Sequence, residues 1–388
     1  MSFKTARLHV MSGTGNSYLL ANALADRLRD EGTEVEMHRA VDGVPQSAFR
    51  TGKNHLVALF GPTHAFTAPL PLIRLACRLP RGQGTAAAVF LSRGGLMFGR
   101  RATPGLEGTA TWLLAFILWL KGYSVRVLRA FDMPENWTTV HSSMKERKCR
   151  KIIGRAMPRL NESADVLLAG RRRYWGLIPL LLGLILLPIS ILYLIVGRFV
   201  LAKMYFSDHR CTGCGKCAKT CPHDGIDMYG PGRRRPYWTL RCQNCMRCMS
   251  YCPEQCIQAG YSWAVLMNYL MMIPVVMFAI GYVRPKLAES LGGDPVLAYV
   301  VSYGNAILMI VLSYFAFFWL TRIRFIARLF AWTTLTTIFR RYRAPGVSAG
   351  DLIELAPVDW DAVVGIEATE DAEEDVIDDE TAEPKGDS

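Results

Sequence analysis

Residues 6–17 read Ala6-Arg7-Leu8-His9-Val10-Met11-Ser12-Gly13-Thr14-Gly15-Asn16-Ser17, and this stretch decides the fold expected for the N-terminal part of the chain. A short apolar run meets a loop of glycines and hydroxyls, and an amphipathic helix follows from Tyr18 to about Asp30. Alternation of strands and helices predicts an α/β fold in which a parallel sheet is covered on both faces. Further strands are expected at Leu56–Phe60, Ala86–Leu91 and Val125–Arg129.

The loop between the first strand and the first helix is a candidate anion site, because backbone N–H groups, hydroxyls and a helix N-terminus converge there. It lacks the Gly-x-x-x-x-Gly-Lys pattern of nucleoside triphosphate hydrolysis and the Gly-x-Gly-x-x-Gly pattern of dinucleotide binding. A phosphate held by neutral groups without a lysine fits flavin mononucleotide (FMN), which flavodoxin-like doubly wound sheets bind at the point where the strand order reverses. The candidate residues are Ser12, Gly13, Thr14, Gly15, Asn16 and Ser17.

Two later loops fall at strand ends where they could cover the flavin ring. Glycine-rich backbone can approach a ring closely, and Phe66 or Phe98 could stack on it. The alternative is that both are ordinary exposed loops of a sheet. The candidate residues are Pro62, Thr63, His64 and Phe66 in one loop and Ser92, Gly94 and Gly95 in the other.

One cysteine spacing occurs twice, as Cys211-x2-Cys214-x2-Cys217-x3-Cys221-Pro222 and as Cys242-x2-Cys245-x2-Cys248-x3-Cys252-Pro253. In the bacterial ferredoxin run of this spacing, three cysteines bind one [4Fe–4S] cluster and the fourth binds the other. We therefore expect two clusters. One is held by Cys211, Cys214, Cys217 and Cys252, and the other by Cys242, Cys245, Cys248 and Cys221.

Structural zinc is the alternative for these cysteines, since zinc sites also use Cys-x2-Cys pairs. Zinc requires neither a third cysteine step nor a trailing Cys-Pro, so the pattern favours iron–sulfur. Cys256 lies outside the pattern, and we expect it to pack beside a cluster, with a ligand role as the alternative. Eight clustered cysteines among eleven indicate metal in a reducing compartment rather than disulfides in a secreted protein.

Apolar segments surround the cysteine module, in keeping with a mean hydropathy of +0.16. The runs Leu177–Val196, Trp263–Val283 and Leu297–Leu320 are each long enough, at roughly 20 residues, to cross a bilayer. Residues 322–343 carry several arginines among apolar residues, which predicts a helix in the membrane interface. The shorter run Trp112–Leu120 is expected to be a buried crossover helix.

Charge is unevenly distributed along the chain. The formal net charge is +12, but the residues from Asp351 onward contain fifteen Asp/Glu and one Lys, which leaves about +26 on the first 350 residues. A basic body favours anionic lipids or acidic proteins as partners over nucleic acid. The acidic tail is expected to be disordered, with a docking segment around Leu352–Trp360 as the alternative.

These patterns divide the chain into five regions. We expect a flavodoxin-like FMN-binding domain at residues 1–170, a membrane hairpin or transmembrane segment at 174–200, and a small α+β ferredoxin domain with two [4Fe–4S] clusters at 203–260. Two transmembrane helices and an interfacial helix then follow at 262–343, and an acidic, disordered tail at 344–388.

Residues 6 to 260 together resemble the flavodoxin–ferredoxin fusion family of bacteria and archaea. The resemblance rests on the Ser12–Ser17 loop, the Gly61-Pro62-Thr63 loop, Phe131-Asp132-Met133-Pro134-Glu135-Asn136 and the doubled cysteine motif, with Trp238 at a familiar position. It implies FMN and two [4Fe–4S] clusters in an electron carrier. The apolar segments depart from the family pattern and point to a membrane-attached variant.

The expected topology follows from the excess of Lys/Arg in cytoplasmic segments. If residues 177–199 dip into the membrane and turn at Pro188, the flavin domain, the clusters and the arginine-rich segment all face the cytoplasm. The sequence therefore predicts an electron-transfer protein of the cytoplasmic membrane that passes electrons between FMN and the clusters, to or from a redox protein such as a membrane or lipid-modifying reductase. The alternative is a membrane flavoenzyme that reduces a quinone or lipid directly. No catalytic acid–base set stands out.

Overall fold

The computed structural model describes residues 3–41, 50–98, 101–261 and 314–364, with a few single positions between 281 and 312. The chain divides into two compact units. The first unit comprises Met1–Asn136, Ser143–Ile195 and Tyr342–Ser388, and the second comprises Trp137–Ser142 and Val196–Arg341. The expected spans Trp263–Val283 and Leu297–Leu320 lie largely outside the described residues, as do residues 365–388 of the tail.

The first unit is built on a sheet of order β2-β1-β3-β4-β6-β7, in which all neighbours along this path are parallel. A short strand, β5, adds an antiparallel extension to β4. The order β2-β1-β3-β4-β6 is that of flavodoxin-like sheets, so the expected fold class is confirmed for this unit. The strands are β1 Thr5–Val10, β2 Glu34–Arg39, β3 His55–Pro62, β4 Ala86–Phe98, β5 Arg101–Thr103, β6 Ser124–Pro134 and β7 Arg173–Tyr174.

Helices cover both faces of this sheet. Helices α2 and α3 pack on one face, where Leu72, Leu114 and Leu118 meet β3 and β4, and α1 packs beside α4. The helix α3 is only half buried, because Phe116 is 54% exposed. The expectation of a buried crossover helix is therefore wrong for its outer face. The helices are α1 Asn16–Asp30, α2 Leu70–Arg78, α3 Ala110–Leu120 and α4 Glu146–Leu168.

A bent pair of apolar helices, α5 Leu177–Ile185 and α6 Leu187–Leu192, follows β7, and a π-helical turn continues it to Gly197. The axes of the two helices differ by 71°. The hairpin model expects the chain to reverse direction at this point, but the chain only bends. Pro188 lies in the first turn of α6, where proline is compatible with a helix, so it starts a helix there instead of forming a turn. Within the described residues no single helix is long and apolar enough to cross a membrane, and this pair passes only when its halves are combined.

The second unit contains two small antiparallel sheets, β8 paired with β11 and β9 with β10, around the two cysteine runs. Arginine-rich residues near its end form α10, whose outer side exposes Phe325 and Trp332 at 76% and 83%. The elements are α7 Arg198–Lys203, β8 Tyr205–Ser207, α8 Lys216–Lys219, β9 Ile226–Tyr229, β10 Arg235–Trp238, α9 Arg247–Ser250, β11 Ile257–Ala259 and α10 Arg324–Trp332.

Residues 342–364, which we call the C-terminal clasp, fold back onto the first unit. They contain α11 Asp351–Glu354 and α12 Trp360–Val364, and Leu352 and Val363 are buried. The expectation of a disordered tail from residue 344 is therefore wrong for residues 344–364. In this stretch the apolar side chains between the acidic residues are buried, in keeping with the alternative expectation of a docking segment around Leu352–Trp360.

Candidate functional site

The glycine–hydroxyl loop lies between β1 and α1, as predicted. Gly15 adopts φ 111°, a left-handed backbone that glycine accepts readily, and it precedes the first residue of α1. The helix has no side-chain cap and no acidic residue in its first turn. Its N-terminus therefore offers positive dipole and N–H groups to an anion. Thr14 and Ser17 are each 1% exposed, so their hydroxyls lie inside this cradle.

Hydrogen bonds join this loop to the ends of β4 and β6. The hydroxyls of Ser17 and Ser92 are 3.0 Å apart. Nδ2 of Asn136 donates to Oγ1 of Thr14 at 2.7 Å, and Nδ2 of Asn16 donates to the Pro134 carbonyl at 2.8 Å. The carboxyl ends of parallel strands meet at one edge of a sheet, which is why loops far apart in sequence converge here.

The second predicted loop turns tightly after β3. His64 and Thr67 exchange two backbone hydrogen bonds of 3.0 Å, and the residues between them, Ala65 and Phe66, have φ 46° and 63°. Two successive non-glycine residues in the left-handed region are strained and mark a candidate functional loop. Burial lowers the pKa of His64 to about 4, so the imidazole is neutral at pH 7. The Thr63 N–H donates to the Ser92 carbonyl at 2.8 Å, which links this loop to β4.

The expectation of a loop at Ser92, Gly94 and Gly95 is wrong, because these residues continue β4 and pair with β6. A buried ion network that sequence reasoning missed fixes this part of the strand. Arg93 forms a two-pronged pair with Asp132, at 2.7 and 3.1 Å, and a 2.5 Å pair with Glu107. Although burial opposes its charge, these carboxylates raise the pKa of Arg93 above its ordinary value. Gly94 lies against Glu135, so a side chain at Gly94 would collide with that carboxylate. Arg93 directly follows Ser92, but its partners are distant in sequence and no local pattern pairs them.

Both cysteine runs adopt the same left-handed turns at matching positions. Gly213 and Gly215 have φ 78° and 73°, and their counterparts Asn244 and Met246 have φ 54° and 62°. Glycine adopts these turns without strain in the first run, whereas the side chains of Asn244 and Met246 make the same turns sterically less favourable in the second run. The repeat in sequence is thus also a repeat in backbone structure.

Four thiols of one predicted ligand set face a common internal cavity. It is lined by Cys221, Cys242, Cys245 and Cys248, together with Trp238 and neighbouring apolar groups. Burial raises the pKa of Cys242 to about 12, and the nearby Cys245 and Cys221 thiolates add to the increase. The indole N–H of Trp238 is buried beside the Cys248 thiol. Burial raises the pKa of Cys248 well above its ordinary value, and the interaction with the indole opposes that increase. A thiolate-bound cluster fits this cavity, because iron stabilises the thiolates and cluster sulfur can accept the indole hydrogen bond.

The other predicted ligand set also lies close together. Burial raises the pKa of Cys217 to about 12. The neighbouring Cys211 thiolate, followed by those of Cys252 and Cys214, adds to the increase. The Cys256 sulfur lies 3.4 Å from that of Cys252. Cys256 is 3% exposed, and it therefore packs beside this set, as expected. Within the described part of the chain no group of three or more His, Cys, Asp or Glu is arranged around a single metal ion.

Lys203 is a positive charge near the second set. Its ammonium group donates to the Trp238 carbonyl and lies 4.3 Å from the centre of the Tyr237 ring. Burial lowers the pKa of Lys203 to about 8, while the Cys242 thiolate opposes that decrease. A cation in this position stabilises negative charge on thiolates and reduced iron.

The first unit thus has a flavodoxin-like fold with a loop suited to a phosphate, and the second unit has the thiol arrangement of a 4Fe–4S domain. The family described as a 4Fe-4S dicluster domain matches residues 203–259. No curated protein matches the chain. A flavodoxin-like domain and a 4Fe–4S domain on one chain support a role in electron transfer.

Solved structures similar to the chain include flavodoxins and flavodiiron proteins. A flavodoxin from the domain Archaea is 17% identical, with a TM-score of 0.28 over 42% of this chain and 96% of its own. A Streptococcus flavodoxin is 20% identical, with a TM-score of 0.28 over 43% and 97%. Rubredoxin oxygen:oxidoreductase from Desulfovibrio gigas is 16% identical, with a TM-score of 0.29 over 43% of this chain and 36% of its own.

Proposed function

We propose that the chain is a membrane-attached electron-transfer protein of the flavodoxin–ferredoxin fusion type, with FMN in the first unit and two [4Fe–4S] clusters in the second. The observation that carries this proposal is the combination of a glycine–hydroxyl loop at a helix N-terminus on a flavodoxin-like sheet with two thiol sets in the repeated cysteine turns. Flavin exchanges electrons in pairs or singly, whereas the clusters pass them singly, so the fusion can join two kinds of redox partner.

We assign the following roles to residues of the chain. Thr14, Ser17 and the N-terminus of α1 bind the phosphate. The His64 loop and the part of β4 around Ser92 flank the ring. The thiols of Cys211, Cys214, Cys217 and Cys252 hold one cluster, and those of Cys242, Cys245, Cys248 and Cys221 hold the other. Trp238 and Lys203 adjust the second cluster through a hydrogen bond and a positive charge.

The apolar helix pair supports attachment to a membrane. Its outer side exposes many large apolar side chains, among them Ile178 at 73% and Ile185 at 74%, whereas Gly183 and Ser190 are buried against the sheet unit. Exposed apolar surface of this extent is unusual for a soluble monomer. Arg171, Arg172 and Arg173 are exposed just before it and can contact anionic lipid head groups.

Contacts within the first unit also favour one membrane topology. The helix pair begins just after β7 of the sheet, and near its end the Tyr193 hydroxyl lies 3.2 Å from Nδ1 of His64. Both ends are therefore held by the same unit, which favours a segment lying along the membrane over one crossing it. The chain leaves this unit at Ile195 and rejoins it at Tyr342, so an even number of crossings between them is required. Two spans in residues 262–320 satisfy this requirement. The excess of Lys/Arg expected in cytoplasmic segments then favours the cytoplasmic side for the flavin domain.

A second candidate function is direct reduction of a quinone or lipid by the flavin unit. It is favoured by the attachment of the apolar helices to the His64 loop, where Ser190 donates a hydrogen bond to the Ala65 carbonyl at 2.8 Å. A lipid-soluble substrate held by these helices would lie next to the strained loop. This candidate needs no protein partner, which separates it from the carrier.

Anaerobic purification followed by flavin and iron analysis tests the cofactors, and we expect about one FMN and about eight iron atoms per chain. Turnover with a quinone or lipid alone, without any protein partner, would defeat the carrier and support the second candidate. Reporter fusions within residues 286–294 and after residue 364 test the topology. A cytoplasmic signal from the first fusion, or an external signal from the second, contradicts it.

A further inference from the structure

The C-terminal clasp contacts the phosphate loop directly. The Tyr342 hydroxyl donates a hydrogen bond to Oδ1 of Asn16, and Tyr342 is only 2% exposed. The Ala344 N–H donates to the Thr14 carbonyl at 2.7 Å. Ala344 also lies against Gly15, where any side chain would collide with the Ala344 Cβ. Three consecutive loop residues are therefore covered by a segment from the far end of the chain.

The rest of the clasp is fixed to α1 and α4. On α1, the Tyr18 hydroxyl donates to the Ala356 carbonyl at 2.5 Å, and Asp26 accepts a 3.0 Å hydrogen bond from the Trp360 indole. On α4, Arg150 donates to two carbonyls of α12 at 2.8 and 2.7 Å. The contact at the phosphate loop is therefore one end of an extended, partly buried attachment.

We propose that the clasp is part of the flavin site, with Tyr342 and Ala344 as positioning residues for the phosphate loop; this inference rests on the proposed binding of FMN. Asn16 is held from both ends of its amide, because Nδ2 donates to Pro134 while Oδ1 accepts from Tyr342. An amide fixed in this way keeps the first residue of α1 in one conformation. The helix N-terminus is then presented to the phosphate without the cost of ordering it on binding.

Ala344 acts on the peptide group between Thr14 and Gly15. The carbonyl and the following N–H of a trans peptide point in opposite directions. Holding the Thr14 carbonyl on Ala344 therefore also orients the Gly15 N–H, which donates to Oγ of Ser12 at 3.2 Å. A free carbonyl at this position could rotate toward the anion and repel it. Pinning it preserves the orientation of backbone dipoles that anion-binding loops require.

Through the clasp, flavin affinity depends on residues near the C-terminal end of the described chain. The first unit is discontinuous, and its phosphate loop obtains these two hydrogen bonds only after the chain has passed through the second unit and returned. Flavin affinity consequently depends on residues beyond the cluster domain, which an isolated N-terminal flavodoxin-like domain would not need.

The test compares Tyr342→Phe with Tyr123→Phe in the full chain. Tyr123 is a matched control, since it is 3% exposed and its hydroxyl donates to the Pro80 carbonyl at 3.0 Å, away from the phosphate loop. Flavin is removed, and FMN affinity is measured by quenching of flavin fluorescence. We expect Tyr342→Phe to raise the dissociation constant about fivefold and Tyr123→Phe to change it less than twofold. Hydrogen exchange of the flavin-free protein should become faster at residues 12–17 in Tyr342→Phe alone.

A chain ended after Arg341 is compared with one ended after Val364 to test the whole clasp. We expect the first to lose FMN affinity more than about thirtyfold and the second to match the full chain. Unchanged affinity and exchange in Tyr342→Phe would overturn the proposal and leave the clasp a purely structural closure. Failure of the unaltered protein to bind FMN is a separate outcome, which defeats the flavin part of the proposed function and this inference with it.

Discussion

Removing the guanidinium of Arg93 should weaken the first unit more than removing any exposed arginine. The pair to Glu107 measures 2.5 Å, and its side chains are 15% and 2% exposed. Arg93→Met leaves the Glu107 carboxylate buried without its cation, a change that costs about 3–5 kcal/mol. At roughly 2–4 °C per kcal/mol for a unit of this size, the melting temperature should fall by about 6–20 °C.

The assay is thermal unfolding of the full chain, followed by fluorescence of the flavin as the first unit releases it. Arg27→Met is the matched control, because its 3.0 Å pair with Asp165 is exposed at 36% and 59% and should contribute less than about 1 kcal/mol. A double variant, Arg93→Met with Glu107→Leu, should regain part of the loss. The deeply buried Glu107 carboxylate is removed, whereas Asp132 still lacks its pair with Arg93.

Two results would refute this reasoning. One is that Arg93→Met destabilises the unit no more than Arg27→Met, in which case the network contributes no particular stability. The other is that the double variant is as unstable as Arg93→Met alone, which would show that the loss does not come from the uncompensated Glu107 carboxylate. In the unaltered chain Asp132 also accepts a 2.8 Å hydrogen bond from the Gly105 N–H and pairs with Arg159 at 3.3 Å. Its loss of Arg93 is common to both variants, so the difference between the two isolates the Glu107 carboxylate.

Three further predictions concern the clusters and the membrane. Cys256→Ser should retain about eight iron atoms, whereas Cys221→Ser should lose about half, as measured by iron analysis and electron paramagnetic resonance; equal loss in both would make Cys256 a ligand. Lys203→Met should lower the potential of the second cluster by on the order of 40 mV in a redox titration, and an unchanged potential would contradict its electrostatic role. A photo-crosslinking residue at Ile185 should capture lipid in membranes while one at Lys53 does not, and equal labelling would count against a lipid-facing helix pair.

The parts of the site that the sequence predicted well are local in sequence. The doubled cysteine spacing predicts its candidate ligands within two short runs. In the structure Cys221 lines the same cavity as the cysteines of the second run, an arrangement compatible with interleaved ligation. The hydroxyl loop likewise lies in one stretch between a strand and a helix. Parallel strands then bring Ser17 and Ser92 to the same edge without any further signal.

Elements without a local signal were missed or misjudged. The edge strand β2 alternates charged and apolar residues in Glu-Val-Glu-Met-His-Arg, so it lacks the apolar run that marks the inner strands. The helix α3 looked buried because it is apolar all round, but Trp119 is 63% exposed. Composition alone cannot distinguish apolar side chains that pack on a core from those that face outward.

The clasp shows why the remainder could not be predicted. Tyr342 and Asn16 are 326 positions apart, and neither periodicity nor composition pairs residues at that separation. Residues 344–364 precede a strongly acidic stretch, and the charge of that stretch suggested that the whole tail is solvated. Their own apolar positions, Leu352 and Val363, bury against the first unit instead. Because folding of a segment depends on whether its apolar groups find a surface, an acidic tail can begin as part of a domain. The first unit therefore includes residues 342–364 as well as the N-terminal part of the chain, and Tyr342 and Ala344 contact the loop proposed to hold the phosphate.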